Sequence, residues 1–374
     1  MHVKEERKKI LEMVKSGLLS IDEAEKLLEE LAQAEEKRQK GEEASKQAEE
    51  LTIIEAESSK EEKFEKEYYD YKFKREKSLK DRVFDFFETA MEKVKELDLD
   101  FTKSVNISHV YQQNDNHFDN IQIDIPNGSV HLEAWDHSDV RVECEAKVFR
   151  TDNLDEGKER FMKDVEFKVV DDTLTFVSFD KINKVEIRVY VPQQDYNKVY
   201  VKLFNGTITG KNLGSSKLSF QSTNGQIRLS NAEGEKAKIE TTNGAISVTE
   251  SVFDKIDVET VNGKVNVDAQ YRKLEAETIG GSITTFVREP QPESVQLSSA
   301  TGSIYVNVQG DLAVSGEAKS NLGNVTVDLE NIYNIKEEKE VIQKMVRFDT
   351  TSELTNKTYI FADAKTGSVF VKPL

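Results

Sequence analysis

The feature that most constrains this chain is a short phrase around Asn-Gly that recurs at nearly constant intervals. The phrase reads QSTNGQIRLS at 221–230, ETTNGAISVT at 240–249 and ETVNGKVNVD at 259–268. One Asn-Gly between alternating polar and apolar residues predicts a hairpin turn. Here, however, the copies follow one another at a period of about 20 residues, which is typical of a repeat architecture. The glycines of the copies are Gly206, Gly225, Gly244, Gly263, Gly281, Gly302 and Gly323, with an earlier copy at Gly128 and a later one at Gly367.

Apolar and polar residues alternate within each copy. The second and fourth residues after the glycine are aliphatic, for example Ile227 and Leu229, and the fifth residue before it is apolar, for example Phe220. The third residue before the glycine is Ser or Thr in Ser222, Thr241, Thr260, Thr278 and Ser299. A period of two predicts two short strands joined at the Asn-Gly corner, with the apolar side chains pointing inward.

One such unit cannot bury its inner face, whereas a stack of coils spaced by about 4.8 Å can. We therefore predict a mainly β domain over 102–374, built as a right-handed parallel β-helix (solenoid) over at least 200–330. An antiparallel sandwich of hairpins is the alternative; it explains the alternation but not the constant spacing. The less regular segment 105–200 predicts partly antiparallel coils, and NLDEGKERFMKDV at 153–165 predicts an inserted helix.

The Asn-Gly corners are predicted to stack in a structural turn ladder. Asn and Gly accept positive φ, which a sharp corner is expected to demand. Stacked Asn side chains can also form hydrogen bonds along the stack. The predicted ladder consists of Asn205, Gly206, Asn224, Gly225, Asn243, Gly244, Asn262, Gly263, Gly281, Gly302 and Gly323.

The first hundred residues have a different character. Residues 1–34 predict a helical hairpin, with Gly17 ending the first helix and Ser20 to Glu23 forming a capping box for the second. Helices this short bury little surface alone. They are therefore expected either to pack on another part of the chain or to mediate self-association or partner docking. Residues 35–63 are charge-dense and predict a linker or a solvated helix.

Residues 64–101 predict an amphipathic helix that is preceded by a segment rich in aromatic and basic residues. Apolar residues spaced by three and four, among them Val83, Phe86 and Phe87, form one helix face. The basic residues nearest to it include Lys72, Lys74, Arg75 and Lys77. This pattern is typical of contact with an anionic membrane or a protein partner. The alternative is a helix that caps the end of the solenoid and exposes its charges to solvent.

Composition excludes several kinds of chemistry. The net charge of −18 argues against a broad nucleic-acid surface. The single cysteine, Cys144, rules out an intramolecular disulfide and a CxxC motif. His131 and His137 lie at a spacing that is not typical of metal ligands, and no P-loop, GxGxxG or GxSxG motif is present.

Outward carboxylates align on successive coils at Asp257, Glu259, Glu275 and Glu277. Paired carboxylates can cleave sugars, but lysines are interspersed among these and no aromatic cluster accompanies them. A solvated face is the better interpretation. The sequence therefore predicts no catalytic residues, no metal and no cofactor.

The segment ERKKILEMVKSGLLSIDEAEKLLEEL resembles the SHOCT-like N-terminal helical hairpin of Firmicute proteins of the YvlB and LiaX type. The tandem TNGxIxV coils resemble the adhesin β-strand-repeat domain of the same proteins. Together the two resemblances cover nearly the whole chain. They imply a role in cell-envelope stress, and some members of the family act outside the cell against membrane-active antimicrobial peptides.

These features predict a non-enzymatic scaffold or sensor of the envelope stress response. The expected partners are a protein partner or a second copy bound through the N-terminal helices, an anionic membrane surface, or a cationic peptide; nucleic acid is not expected. The alternative is a surface adhesin or polysaccharide-binding protein that uses the outward Asp, Asn and Thr rows. A β-helix enzyme acting on carbohydrate is the least favoured. Without a signal peptide or membrane span, we expect a cytoplasmic protein, peripheral to the membrane, with export by another route left open.

Overall fold

The computed structural model describes residues 103–114, 117–310, 312–330, 332–339, 343–350 and 357–374. The hairpin predicted at 1–34, the linker at 35–63 and the amphipathic helix at 64–101 lie outside these residues, and so do the contact residues Lys72, Lys74, Arg75, Lys77, Val83, Phe86 and Phe87. The described part is mainly β, as predicted, with one helix among its strands. That helix is too short and too polar to cross a bilayer, and the described residues contain no other candidate span.

The described elements fall into three groups along the chain. The first group is β1 (Ser104–Gln113), β2 (Asn120–Trp135), β3 (Val140–Phe149), α1 (Leu154–Asp164), β4 (Val165–Val170), β5 (Thr173–Ser178) and β6 (Lys184–Pro192). The regular repeat comprises β7 (Asp195–Asn205), β8 (Ile208–Lys211), β9 (Gly214–Asn224), β10 (Ile227–Ser230), β11 (Glu233–Asn243), β12 (Ile246–Asn262), β13 (Val265–Gly280), β14 (Ile283–Val287), β15 (Ser294–Ser299) and β16 (Ile304–Val308). The last group is β17 (Val314–Ser320), β18 (Val325–Val327), β19 (Asn334–Lys339), β20 (Lys344–Asp349), β21 (Thr358–Ala364) and β22 (Val369–Pro373).

Equivalent strands of successive copies pair in parallel. Ile227 on β10 is in register with Ile208 on β8 and with Ile246 on β12. Likewise, Ile239 on β11 is in register with Phe220 on β9. Each strand of the repeat thus pairs with the equivalent strands of the two coils stacked beside it, and not with the strand across its Asn-Gly corner. This pairing contradicts the antiparallel sandwich alternative.

The core is a continuous strip of aliphatic side chains inside the stacked coils. Ile227, Leu229 and Phe220 are all at most 1% exposed, as the alternation predicts. Burying a side chain of this size contributes about 1.5–3 kcal/mol. In the copy around Gly323, Val325 and Val327 are only half-buried. Among the strands that the structure describes, their strand, β18, pairs with β22 alone.

The N-terminal end of the stack is partly antiparallel, as predicted. β3 pairs antiparallel with β1 and with β6, and β4 pairs antiparallel with β5. The predicted helix is present as α1. The side chain of Asn153 caps it by accepting hydrogen bonds from the backbone N–H groups of Asp155 and Glu156. Phe161 anchors α1 in the core with no exposed surface.

The last coil does not lie in chain order. β21 pairs in parallel with both β15 and β17, and β22 pairs in parallel with both β16 and β18. The C-terminal coil is therefore inserted between two coils that precede it in the sequence. β20 then pairs antiparallel with β17 and with β19, so β19 and β20 form a hairpin. Lys and Glu on β19 are typical of strands that protect a sheet edge.

Candidate functional surfaces

The Asn-Gly corners form one column through the stack. A Cβ atom on Gly225 would lie 1.9 Å from the carbonyl oxygen of Gly206, and one on Gly244 would lie 2.0 Å from that of Gly225. The same contact links the whole column in the order Gly128, Gly206, Gly225, Gly244, Gly263, Gly281, Gly302, Gly367, Gly323. Gly367 precedes Gly323 in this order because the C-terminal coil is inserted.

Most positions of the column must be glycine because the coils approach each other closely, and not because the backbone has a positive φ there. In the column only Gly128 and Gly206 have positive φ, at 145° and 138°. The expectation that the Asn-Gly corner as such demands positive φ is therefore wrong. Left-handed residues instead occur at another corner of the coil, at Asn212 and Asn231, with φ of 58° and 49°. Elsewhere in the column, a side chain is excluded because it would overlap a carbonyl oxygen of the neighbouring coil.

Asn side chains form a hydrogen-bonded ladder beside the glycines. Nδ2 of Asn224 donates to Oδ1 of Asn205 at 2.8 Å, and Nδ2 of Asn243 donates to Oδ1 of Asn224 at 2.8 Å. Asn262 continues the ladder by donating to Asn243 at 2.9 Å. Asn205 extends it the other way by donating to Asn127 at 2.6 Å. Each inner Asn therefore both donates and accepts a bond along the stack.

The Ser and Thr residues three positions before the glycines have a role beyond their small size. The Oγ1 of Thr241 donates to the carbonyl oxygen of Gly225 at 3.0 Å, and Oγ of Ser222 donates to that of Gly206 at 3.0 Å. The same bond is made by Thr260, Thr278, Ser299 and Ser320. These hydroxyls give each glycine carbonyl group of the corner a side-chain hydrogen-bond donor. The column is therefore a structural device whose polar groups bond mainly to one another.

The aligned carboxylates of β12 and β13 face lysines of the same surface. Asp257 is in register with Glu275, and Glu259 with Glu277. The Nζ of Lys255 lies 2.9 Å from a carboxylate oxygen of Glu275. Burial, and then the charge of Glu275, raise the pKa of Asp257 above its usual value. Within the described ranges, no three His, Cys, Asp or Glu residues are grouped so that they could hold a metal ion.

The histidines and the cysteine lie in separate surroundings. His131 contacts Glu133 at 3.2 Å, whereas the His137 ring packs on Trp135 with 4.6 Å between centroids. Cys144 is buried, and burial raises its pKa to about 12. Its thiol therefore stays protonated and unreactive at neutral pH.

The sequence reasoning missed an outward group of aromatic side chains, here called the aromatic ledge and consisting of Phe286, Tyr305 and Phe370. Tyr305 on β16 pairs with Phe370 on β22, and their rings stack with 5.2 Å between centroids and 10° between planes. The Arg288 guanidinium lies 4.7 Å from the Phe286 ring, and Lys372 Nζ lies 5.2 Å from the Phe370 ring. Tyr305 is 40% exposed.

Small polar side chains lead up to the aromatic ledge. Tyr305 is in register with Thr284, and Thr284 with Asn266. The position before them in this row is Ser247. One side of the Tyr305 ring therefore borders a shallow polar strip. The signal in the sequence was an aromatic residue three positions after Gly302 and again three positions after Gly367.

Comparison with known proteins gives two family matches. Residues 118–353 match the model of the family described as Toastrack DUF4097, and residues 5–36 match the SHOCT-like domain. Over 372 residues the chain is 37% identical to a Bacillus subtilis (strain 168) protein, YvlB, described as uncharacterised, and the match covers 99% of both chains.

Solved structures give more distant matches. A candidate adhesin from Bacteroides fragilis NCTC 9343 is 14% identical with a TM-score of 0.39, over 72% of this chain and 97% of that one. A candidate adhesin from Parabacteroides distasonis ATCC 8503 is 11% identical with a TM-score of 0.35, over the same shares. The Toastrack model spans more than half of the residues, and the match to YvlB runs the full length. The chain belongs to the Toastrack (DUF4097) family and resembles YvlB from end to end.

Proposed function

We propose that this protein is a non-enzymatic binding scaffold of the bacterial cell-envelope stress response. The observation that carries the proposal is the continuous parallel stack of coils, held by the Asn and Gly column, which gives a long face of fixed geometry. The stack is proposed to wind in the right-handed sense. In this proposal the helices that the sequence predicts at 1–34 and 64–101 contact a protein partner, a second copy or an anionic membrane.

The support for a scaffold and the support for a stress role come from different sources. The described residues offer mainly ion-paired and hydrogen-bonded surface, and the family match names no catalytic activity. The stress role rests on the resemblance to proteins of the YvlB and LiaX type. The same resemblance supports a protein that works at the cytoplasmic side of the membrane or, after export, at the cell surface.

Fractionation of native cells with antibody detection tests this proposal. We expect the protein to become more abundant, and to move into the membrane fraction, when cells are treated with a membrane-active cationic peptide. A variant with K72Q, K74Q, R75Q and K77Q is expected to stay in the soluble fraction. A matched variant with K158Q, K264Q, K365Q and R228Q removes the same charge elsewhere and should behave as the unmodified protein. Unchanged abundance and location under stress would contradict the proposal.

A second candidate function is polysaccharide binding, and the aromatic ledge favours it. Exposed aromatic rings on an otherwise polar sheet present flat apolar surface, which suits the C–H faces of sugar rings. Asn307 is in register with Phe286, and Arg288 and Lys372 also lie near the ledge, so polar groups are close to the hydroxyls of a bound sugar.

Binding of the full chain to purified cell-wall polysaccharide separates the two functions. An aromatic contact contributes about 1 kcal/mol beyond its buried area, so Tyr305→Ala should weaken binding at least about fivefold. Tyr333→Ala is the matched control, because Tyr333 is 68% exposed and its backbone N–H donates to the carbonyl of Asp349 on β20, which is not a strand of the ledge. Equal affinities of the two variants would exclude the ledge as a sugar site.

A further inference from the structure

Five lysines lie in register on consecutive coils and form what we call the lysine row. Lys217 on β9 is in register with Lys198 on β7 and with Lys236 on β11. Lys255 on β12 follows Lys236, and Lys273 on β13 follows Lys255. At about 4.8 Å between strands, the five residues span about 19 Å along the stack.

One end of the lysine row carries uncompensated charge. Lys255 and Lys273 form ion pairs with Glu275 at 2.9 Å and with Glu293 at 3.5 Å. Lys198, Lys217 and Lys236 are exposed, and within the described residues none of the three forms an ion pair. The row thus presents three adjacent cations without an ion pair on a protein whose net charge is −18. Of these, Lys198 has its Nζ 5.6 Å from the centre of the Tyr200 ring.

Packing of the fold does not account for this alignment. Like charges directly opposite on neighbouring strands are destabilising. Elsewhere on the same surface a lysine is neutralised by a carboxylate: the Nζ of Lys238 lies 2.6 Å from Oε1 of Glu240. Lysine has nevertheless been kept at the row position in five successive coils. An alignment that works against stability favours a role in binding an anion.

The surroundings of the lysine row indicate the shape of that anion. Exposed carboxylates lie directly before two of the lysines in the chain, at Glu235 and Asp254. On the other side, Glu240 lies on the same strand as Lys236. Lys238, two residues after Lys236, is neutralised by its ion pair with Glu240. The lysines without an ion pair therefore form a narrow strip that runs along the stack. A flat anionic membrane would meet these carboxylates as well, whereas a thread-like anion can follow the strip alone.

We propose that the lysine row binds a linear phosphate polymer, which lies along the stack over Lys198, Lys217 and Lys236. The recurrence of one cation on each coil matches a ligand with one anionic group per repeat unit. This site is separate from the aromatic ledge and from residues 64–101, and it does not depend on the proposed stress role.

Long-chain inorganic polyphosphate is the probe, titrated into the full-length protein at low ionic strength. The variant K198Q/K217Q/K236Q should bind it about 100-fold more weakly, because each lysine close to an anionic surface is worth about a fivefold change. The slope of log affinity against log salt concentration should fall in magnitude by about 2, as expected for three lost phosphate contacts. The matched variant K158Q/K264Q/K365Q removes the same charge from exposed lysines outside the row and should bind as the unmodified protein does.

Four outcomes would overturn the proposal. The first is that the unmodified protein shows no binding to polyphosphate. The second is that the two triple variants weaken binding equally. Orthophosphate binds as tightly as the polymer, which would remove the need for a linear ligand. Phosphatidylglycerol vesicles or single-stranded DNA bind more tightly than polyphosphate and show the same dependence on the three lysines. Circular dichroism spectra of both variants check that the comparison is made between folded proteins.

Discussion

Replacing Gly244 by alanine tests directly whether contact between coils is what requires glycine in the column. The new Cβ would lie 2.0 Å from the carbonyl oxygen of Gly225 and 2.5 Å from its carbonyl carbon. Ordinary van der Waals contact begins at 3.4 Å, so the two coils must separate by about 1.4 Å at this corner. Both contacting groups are backbone, so no side chain can rotate away to relieve the overlap.

The expected loss of stability follows from the bonds that this displacement stretches. Thr241 Oγ1 donates to the Gly225 carbonyl at 3.0 Å, and Asn243 Nδ2 donates to Asn224 at 2.8 Å. The backbone N–H of Gly225 donates to the carbonyl of Asn243 at 2.9 Å. Each bond is worth about 1 kcal/mol, and overpacking adds about 1–3 kcal/mol. We expect Gly244→Ala to lower the free energy of unfolding by about 4–6 kcal/mol.

Urea unfolding of the full chain, followed by far-UV circular dichroism, measures this loss. Gly310→Ala is the matched control, because a Cβ there meets nothing closer than a Glu330 carboxylate oxygen at 3.8 Å. That variant should stay within about 0.5 kcal/mol of the unmodified protein. Since stacked repeats can unfold coil by coil, hydrogen exchange of β11 and β12 shows whether the loss is local to the Gly244 corner. A loss below about 1 kcal/mol, or one equal to that of the control, would refute the reasoning.

Three further predictions address the corner hydroxyl, a buried carboxylate and the inserted coil. Thr241→Val removes the buried donor to the Gly225 carbonyl and should lower the free energy of unfolding by about 1–2 kcal/mol, whereas Thr241→Ser keeps the bond and should cost less; equal urea midpoints would contradict this. Burial, and then Glu275, raise the pKa of Asp257 in the folded protein, so ionisation of Asp257 costs stability as pH rises through that pKa. Asp257→Asn should therefore unfold at higher urea than the unmodified protein at pH 7, with the difference vanishing below the ordinary pKa of 3.8; a lower midpoint at pH 7 would be the opposite result. Deleting residues 358–374 removes the strands between β15 and β17 and between β16 and β18. Hydrogen-exchange protection of β18 should therefore be lost, whereas β17 keeps its pairing with β20; survival of protection in β18 would argue against the insertion.

Much of the coil could be predicted from the sequence because its determinants are local. The alternation around Gly225 places Ile227 and Leu229 inward through the period of the strand alone, and both are buried. Asn153, followed by acidic residues, likewise marks the start of α1 within a few residues of chain. The constant spacing of the glycines then selects parallel stacking, because only stacked coils need equal lengths.

The outward surfaces were harder to predict because water imposes no pattern on exposed positions. The spacings of the lysine row are 19, 19, 19 and 18 residues, the same as those of the glycines from Gly206 to Gly281. The row was therefore present in the sequence, but it becomes visible only when the register is known. The aromatic ledge needed more than register, since Tyr305 and Phe370 are neighbours only because the last coil is inserted between two others.

By itself the sequence determined the single coil: its length, its inward face, its corner and the polarity of its surface. Only the tertiary structure decided the order of the coils and the reason for the glycines. Parallel pairing joins main-chain N–H and C=O groups, which are the same in every copy. The coil around Gly302 could therefore pair with the coil around Gly323, which follows it in the chain, but it pairs with the coil around Gly367. A carbonyl oxygen that excludes a side chain belongs to a residue a full coil away in the chain, and no local pattern records that contact.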